Sequence, residues 1–399
     1  MISQIISAPL ESSCPSNIAS SVPQFGPVKL VVIQPTTFCN LNCTYCYLPD
    51  RHLKHQLSLQ LLEPIFRNLF QTPFATEDFT IIWHAGEPLA MPIGFYESAF
   101  ETIEQLSQQH NLKQLPFKHS IQTNGTLINQ AWCDLIKQHD VRMDVSLDGS
   151  DFIHNAHRKT RTGLGTHEST MRGISHLKRN RIDFSVIAVL SQLSLDYPDE
   201  IFQFFVENEI TQVGFNIEET EGNNEVSSLE KTGTDEKYRI FMQRLYDLVK
   251  RSNHALKVRE FESIRSSILQ GEQITLGQSM PFTIISIDYQ GNFMTFSPEL
   301  LSLENDEYDA FILGNIAQDS FESICQTERF QKINKDIQAG VELCRQTCPY
   351  FSVCGGGAPA NKLFENGSFR STETMYCKYT KKFLVDMILS DLEQSLGLT

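Results

Sequence analysis

The chain has 399 residues and a formal net charge of −15, with 41% hydrophobic and 20% charged residues. These totals fit a soluble globular protein with one large α/β domain and a smaller second unit. The acidic balance argues against a nucleic-acid partner bound through a broad basic face, and no apolar run reaches the roughly 18–20 residues that span a bilayer.

Residues 1–10 carry no basic run, so no signal peptide is read and a cytoplasmic location is expected. Thiols stay reduced there. The ten cysteines are therefore not a disulfide framework, and seven of them fall in two tight groups, which favours metal binding. Residues 1–27 are polar, contain Pro9, Pro15, Pro23 and Pro27, and read as an irregular lead-in.

From residue 28 a repeated pattern begins. Short β-branched runs at 29–34, 79–83, 119–123, 142–147, 184–190 and 212–217 alternate with segments of helical spacing at 58–70, 96–108, 130–138, 168–180 and 199–207. Six such alternations imply right-handed βαβ units and a parallel sheet over 28–234. A partial (β/α)6 barrel suits the count, with an open doubly wound sheet as the alternative. The unusual residues follow strand ends, where such folds gather their chemistry. Cys39 follows the first strand, His84–Pro88 the second, Asn124 and Gly125 the third, Asp148 and Gly149 the fourth, Glu218 and Glu219 the sixth.

A polar loop at 218–234 leads into a helical linker over 235–280, with helices at 235–252 and 259–270. A hairpin follows, with strands at 282–289 and 293–297 about a Gln290-Gly291-Asn292 turn. It opens a third region, 281–380, that holds the second cysteine group. A closing helix at 380–396 fills most of 381–399.

The first group is Cys39-Asn-Leu-Asn-Cys43-Thr-Tyr-Cys46. Three thiolates on one loop can hold a [4Fe–4S] cube and leave one iron open. Zinc is the alternative, with His52 or His55 as a fourth ligand. The second group is Cys344, Cys348, Cys354 and Cys377, with Gly355–Gly357 beside it. Four thiolates can close a [4Fe–4S] cube, or bind structural zinc. Cys14, Cys133 and Cys325 are read as plain thiols, with Cys325 a spare ligand.

The CxxxCxxC run with Tyr45 before its last cysteine resembles the radical S-adenosylmethionine (SAM) superfamily. His84-Ala85-Gly86-Glu87-Pro88 is similar to that family's GGEP motif, which by resemblance holds the SAM amine; Ala85 replaces the usual first glycine. Gln122-Thr-Asn124-Gly125 resembles the family's third strand end. Ser146-Leu-Asp148-Gly149 with Arg158 resembles the segment that binds the SAM carboxylate and ribose. The resemblance thus implies Tyr45, Gly86, Glu87, Pro88, Asn124, Ser146, Asp148 and Arg158 as cofactor-binding residues.

Residues 280–380 resemble the SPASM extension of peptide-modifying members. Phe296 and Ala358 stand where that unit normally has two further cysteines, so one auxiliary [4Fe–4S] cluster is expected rather than two. The whole resembles cyclophane-forming peptide maturases that act on glycine-rich-repeat precursors. This implies SAM as cofactor and a ribosomally made precursor peptide, rich in Gly with aromatic residues, as substrate. It also implies a flavodoxin- or ferredoxin-type reductant and no membrane partner. The expected product is a C–C crosslink between an aromatic ring and a β-carbon. Anaerobic sulfatase maturation and thioether formation are the alternatives. The sulfatase branch places an Asp base where this chain has Ser297. Glu299 is the first candidate base here, followed by Asp288 and Glu218.

Overall fold

The computed structural model describes residues 25–270 and 277–397. Most of the lead-in, with Cys14, lies outside them. The barrel half runs β1 (Leu30–Ile33), α1 (Leu62–Gln71), β2 (Phe79–Trp83), α2 (Ile93–His110), β3 (Phe117–Thr123), α3 (Gln130–Gln138), β4 (Arg142–Ser146), α4 (Asp151–His157), α5 (His167–Arg179), β5 (Phe184–Leu190), α6 (Pro198–Glu207) and β6 (Gln212–Ile217). Then come α7 (Thr234–Arg251), β7 (Lys257–Val258), α8 (Arg259–Gln270), β8 (Ile284–Ile287), β9 (Asn292–Met294) and β10 (Gly314–Asn315). The chain ends with α9 (Glu328–Thr347), α10 (Phe351–Cys354), α11 (Pro359–Asn366), α12 (Met375–Cys377), a π turn (Lys378–Lys382) and α13 (Phe383–Ser395).

All strands share one sheet in the order β10-β9-β8-β1-β2-β3-β4-β5-β6-β7. Strands β1 to β6 are parallel and in sequence order. A doubly wound sheet would reverse its order at a switch point, so the partial barrel is the fold. The helices bury apolar stripes against it. On α1 these are Leu62, Ile65, Phe66, Leu69 and Phe70, at helical spacing. Phe70 meets Phe79 of β2 and Phe117 of β3, with ring centroids 6.4 and 5.8 Å away.

The later hairpin is not set apart from this sheet. Strand β8 pairs in parallel with β1, and β9 turns back antiparallel on β8. An aromatic cluster then fastens the C-terminal region to the barrel. Phe74 stacks on Phe282 at 4.1 Å, Phe282 meets Phe330 of α9 at 5.8 Å, and Phe330 meets Phe296 at 6.0 Å. The 20-residue helix α9 was not expected from the sequence. Its signal was present: Phe330, Ile333, Ile337, Val341 and Cys344 lie at helical spacing, and the Thr327 side chain caps the Phe330 amide. Among the described residues no helix is long and apolar enough to cross a membrane.

Candidate active site

A cavity of ≈ 350 Å³ opens at the C-terminal ends of the strands, and Cys39, Cys43 and Cys46 all line it. Their loop is tied down by the chain after α4. The Asn42 amide donates to Lys159 O at 2.7 Å and the Thr44 amide to His157 O at 3.1 Å. Burial, helped by the Glu87 carboxylate, pushes the Cys39 thiol up to about 12, and burial pushes Cys43 to about 11. Such thiols shed their protons when a metal supplies the compensating charge. Neither His52 nor His55 lines the cavity, and His55 stacks on Tyr289 at 4.9 Å.

Opposite the cysteine loop stands the turn after β2. Ala85 and Gly86 both adopt the left-handed backbone, at φ 70° and 67°. A Cβ on Gly86 would collide with the carbonyl oxygens of Thr36 and Phe38, so only glycine fits against the cluster loop. Glu87 is 1% exposed. Its Oε1 accepts from the Leu89 amide at 2.9 Å and the Thr123 hydroxyl at 2.6 Å, and its Oε2 from the Asn124 amide at 2.8 Å. One acceptor position on Oε2 remains for a ligand amine. Pro88 starts a buried 3-10 turn, and its carbonyl accepts from Tyr96. Asn124 points its amide at Asn40 Oδ1 (2.8 Å) and Cys39 Sγ (3.9 Å).

The structure pairs Asp148 with Arg158. Arg158 makes a two-pronged pair with Asp148, Nε to Oδ2 and Nη2 to Oδ1, both at 3.0 Å. Tyr45 also donates to Asp148 Oδ2, at 2.5 Å. Burial pushes the Asp148 carboxyl up, but Arg158 outweighs it and holds the group below the usual range. Arg158 and Ser146 line the cavity and Asp148 does not. Asp148 thus holds the Arg158 and Tyr45 side chains in place.

The candidate bases separate clearly. Asp288 lies outside the cavity lining. Its oxygens accept from the amides of Gln290 and Asn292, the Asn292 side chain and the Ser302 hydroxyl. It braces the β8–β9 turn. Glu218 lines the cavity and accepts from the Ser228 hydroxyl. Glu299 is half-buried and lines the cavity, and its Oε2 is sealed from solvent without a hydrogen-bond partner. Burial raises its pKa. Two neighbours join them: Glu219, read from the sequence only as a residue after the sixth strand, and Glu221, which was not singled out. Glu219 and Glu221 line the same cavity, in the acidic run after β6 that is visible as Glu218-Glu-Thr-Glu221. Burial and mutual repulsion raise both above the usual carboxylate range, while the Asn361 amide lowers Glu219 in part.

The second cysteine group also converges. Cys344, Cys348, Cys354 and Cys377 line one cavity of ≈ 190 Å³, together with Gly356 and Gly357. Cys344 sits in the last turn of α9, Cys348 at its C-cap, Cys354 at the end of α10 and Cys377 at the end of α12. Lys362 of α11 is 2% exposed and donates to Gly340 O at 2.8 Å and Cys344 Sγ at 3.4 Å. Phe296 is fully buried on Phe330 and Ala358 is 3% exposed, so apolar packing occupies those two positions. Cys325 and Cys133 line neither cysteine cavity.

Two thiolate clusters on a parallel barrel, one with three ligands and a neighbouring cofactor cavity, define an iron–sulfur enzyme. The radical SAM superfamily model matches residues 33–205 and the SPASM iron–sulfur cluster-binding domain matches residues 279–349. An uncharacterised protein of Synechocystis sp. is 54% identical, across 94% of this chain and 95% of its own. A cysteine-type anaerobic sulfatase-maturating enzyme of Clostridium perfringens is 24% identical, across 90% and 95%. Native anSMEcpe with bound AdoMet and Cp18Cys peptide superposes with a TM-score of 0.74 at 22% identity, across 93% and 99%. Streptococcus suis SuiB bound to precursor peptide SuiA gives 0.61 at 15%, across 88% and 76%.

The chain belongs to the radical SAM superfamily and carries a SPASM domain. Its cofactors are SAM and [4Fe–4S] clusters. The residues fit them: both thiolate sets line cavities, Gly86 lets the turn after β2 pack against the loop of the first, and Cys354 and Cys377 complete the second beyond the matched SPASM segment.

Proposed function

We propose that this protein modifies a ribosomally made peptide by joining an aromatic ring to the β-carbon of a nearby residue, forming a three-residue cyclophane. A peptide substrate is supported by the relatives and structural neighbours, which include sulfatase-maturating enzymes and a precursor-peptide complex. When bound, SAM at a reduced [4Fe–4S] cluster supplies a hydrogen-abstracting 5′-deoxyadenosyl radical, and the auxiliary cluster supplies an electron acceptor.

The chain provides the rest. The crosslink removes two hydrogens from the peptide, one from the β-carbon and one from the ring. The ring hydrogen leaves as a proton and an electron. Glu299, which lines the cavity and whose carboxyl burial pushes above its ordinary pKa, takes that proton as general base. Glu218, held by Ser228, borders the same space. Arg158, aimed by Asp148, and the free acceptor position on Glu87 hold the SAM carboxylate and amine.

The observation that carries this reading over formylglycine formation is the state of Ser297. It stands where the sulfatase branch has its Asp base, yet it is fully buried and outside the cavity, accepting from the Ala360 amide at 3.4 Å. Formylglycine formation is the second reading, favoured by the 24% identity to a sulfatase-maturating enzyme.

The test is anaerobic incubation of the cluster-loaded protein with SAM, reduced flavodoxin and a glycine-rich aromatic peptide, in parallel with a sulfatase-type cysteine peptide. Loss of two hydrogens, with no backbone fragments inside a three-residue ring and no aldehyde trapped by hydroxylamine, is expected. A trapped aldehyde on the cysteine peptide, with the aromatic peptide untouched, overturns it. Glu299→Gln should retain SAM cleavage and lose crosslinking by about 10²-fold or more.

A further inference from the structure

The cofactor cavity does not end at the glutamates. A second cavity of ≈ 310 Å³ shares Asn216, Glu219, Glu221 and Glu299 with it and extends past Arg259 and Ser263 of α8 to Tyr376 and Thr380. The three glutamates thus stand at the junction of an inner chamber that holds the cofactor residues and an outer chamber.

These acids lack a counter-charge. Glu221 is 8% exposed, lines both chambers, and its carboxylate accepts no hydrogen bond among the described residues. Its loop is fixed: Glu221 and Asn224 exchange backbone bonds at 2.8 Å, and Gly222 packs against the Tyr47 carbonyl of the cluster loop. Glu299 Oε2 is sealed and unpartnered. Glu219 receives one neutral amide, from Asn361 at 2.6 Å. The nearest cations are committed or apart. Arg259 is spent on Glu260 and Asn216, at 2.7 Å each, and Lys381 lines the outer chamber without an ion pair to any of the three. Burying carboxylates without partners is unfavourable, and taking a proton or a cation relieves it.

We propose that the junction is a substrate subsite that receives a cationic side chain, Arg or Lys, from the peptide and thereby sets which neighbouring residue reaches the inner chamber. This rests on the reading that the substrate is a peptide, and not on the kind of bond made. An extended cation fits the junction, because the three carboxylates are spread along the passage between the two chambers. A guanidinium carries five donors and reaches separated carboxylates at once, while an ammonium carries three.

The experiment measures binding rather than product, so its failure is separate from failure of the crosslinking reading. Fluorescein-labelled heptapeptides of glycine with one phenylalanine and one arginine, lysine or citrulline are titrated into the cluster-loaded, SAM-bound protein and followed by anisotropy. Citrulline keeps the shape of arginine and removes its charge. Charged hydrogen bonds of this kind correspond to about tenfold or more in affinity. The Arg and Lys probes should therefore bind about tenfold tighter than the citrulline probe, and the preference should shrink with added salt. In Glu221→Gln and Glu219→Gln, checked for iron content and circular dichroism, the preference should fall to about twofold or less. Equal binding of the three probes to the wild-type protein overturns the proposal, as does absence of binding by all of them. A preference that survives in both well-folded variants overturns the assignment to these glutamates.

Discussion

At the residue scale, one backbone position controls access of the chain to its cluster. Gly86 sits against two carbonyls of the cysteine loop, while its neighbour Ala85 holds a left-handed φ of 70° in spite of its Cβ. Gly86→Ala should therefore push the loop away and lower the iron of the loaded protein from about eight to about four per chain. Ala85→Gly should load fully and gain about 0.5–1 kcal/mol, read from the urea midpoint. Lys362 poses a different question. Burial lowers its pKa and the Cys344 thiolate opposes that shift. A buried ammonium 3.4 Å from a ligating sulfur favours the reduced, more negative cluster. Lys362→Met should keep the packing and move the auxiliary potential to more negative values in an EPR-monitored titration. An unchanged potential would leave Lys362 as a packing residue.

At the scale of elements, α9 joins barrel and auxiliary site. Its first turn places Phe330 among Phe25, Phe282 and Phe296, and its last turn presents Cys344 and Cys348. Phe330→Ala should cost about 3–5 kcal/mol. It should also release auxiliary iron before the first cluster, because the ligands of that first cluster lie on a loop α9 does not carry. Iron counts and the cluster absorbance during mild heating check both. The turn after β9 shows how element geometry assigns roles. Asp288 and Glu299 are both acids near this hairpin, yet turn chemistry absorbs Asp288 and the following 3-10 turn, Pro298–Leu300, delivers Glu299 to the cavity.

At the scale of the whole molecule, the fold buries imidazoles in the neutral form. His154 is fully buried. Its Nδ1 accepts from the Asp148 amide at 3.4 Å and its Nε2 faces Thr166 Oγ1 at 3.1 Å. Burial lowers its pKa to about 3, and that of His119 also to about 3. The unfolded chain takes up these protons below about pH 6.5, and the folded chain resists until far lower. Stability is therefore complete above about pH 6.5 and declines as pH falls toward 3, by up to about 1.4 kcal/mol per pH unit for each histidine. His154→Gln removes one such group. Its urea midpoint should fall less than that of the wild-type protein between pH 7 and pH 5. Parallel curves would show that His154 protonates freely in the folded state.

Much of this protein is set by short-range pattern. The six barrel strands, most of their helices and both cysteine groups follow from periodicity and from ligands spaced a few residues apart. Such spacing is a property of one loop or one helix end, so it survives without knowledge of the fold. Other features depended on what lies across space. Sheet order chose the barrel, because strand pairing is not written in any one strand. Asp148 turned inward to pair with Arg158, and Asp288 was absorbed by its turn. Glu219 and Glu221 share a cavity lining with Glu299 although the chain separates them by nearly eighty residues, because the fold brings the loop after β6 and the segment after β9 to one chamber. The sequence determined the two cysteine groups and the barrel units. The tertiary structure alone decided which acids stand free in the chamber, since a carboxylate's partner is set by burial and neighbours rather than by its place in the chain.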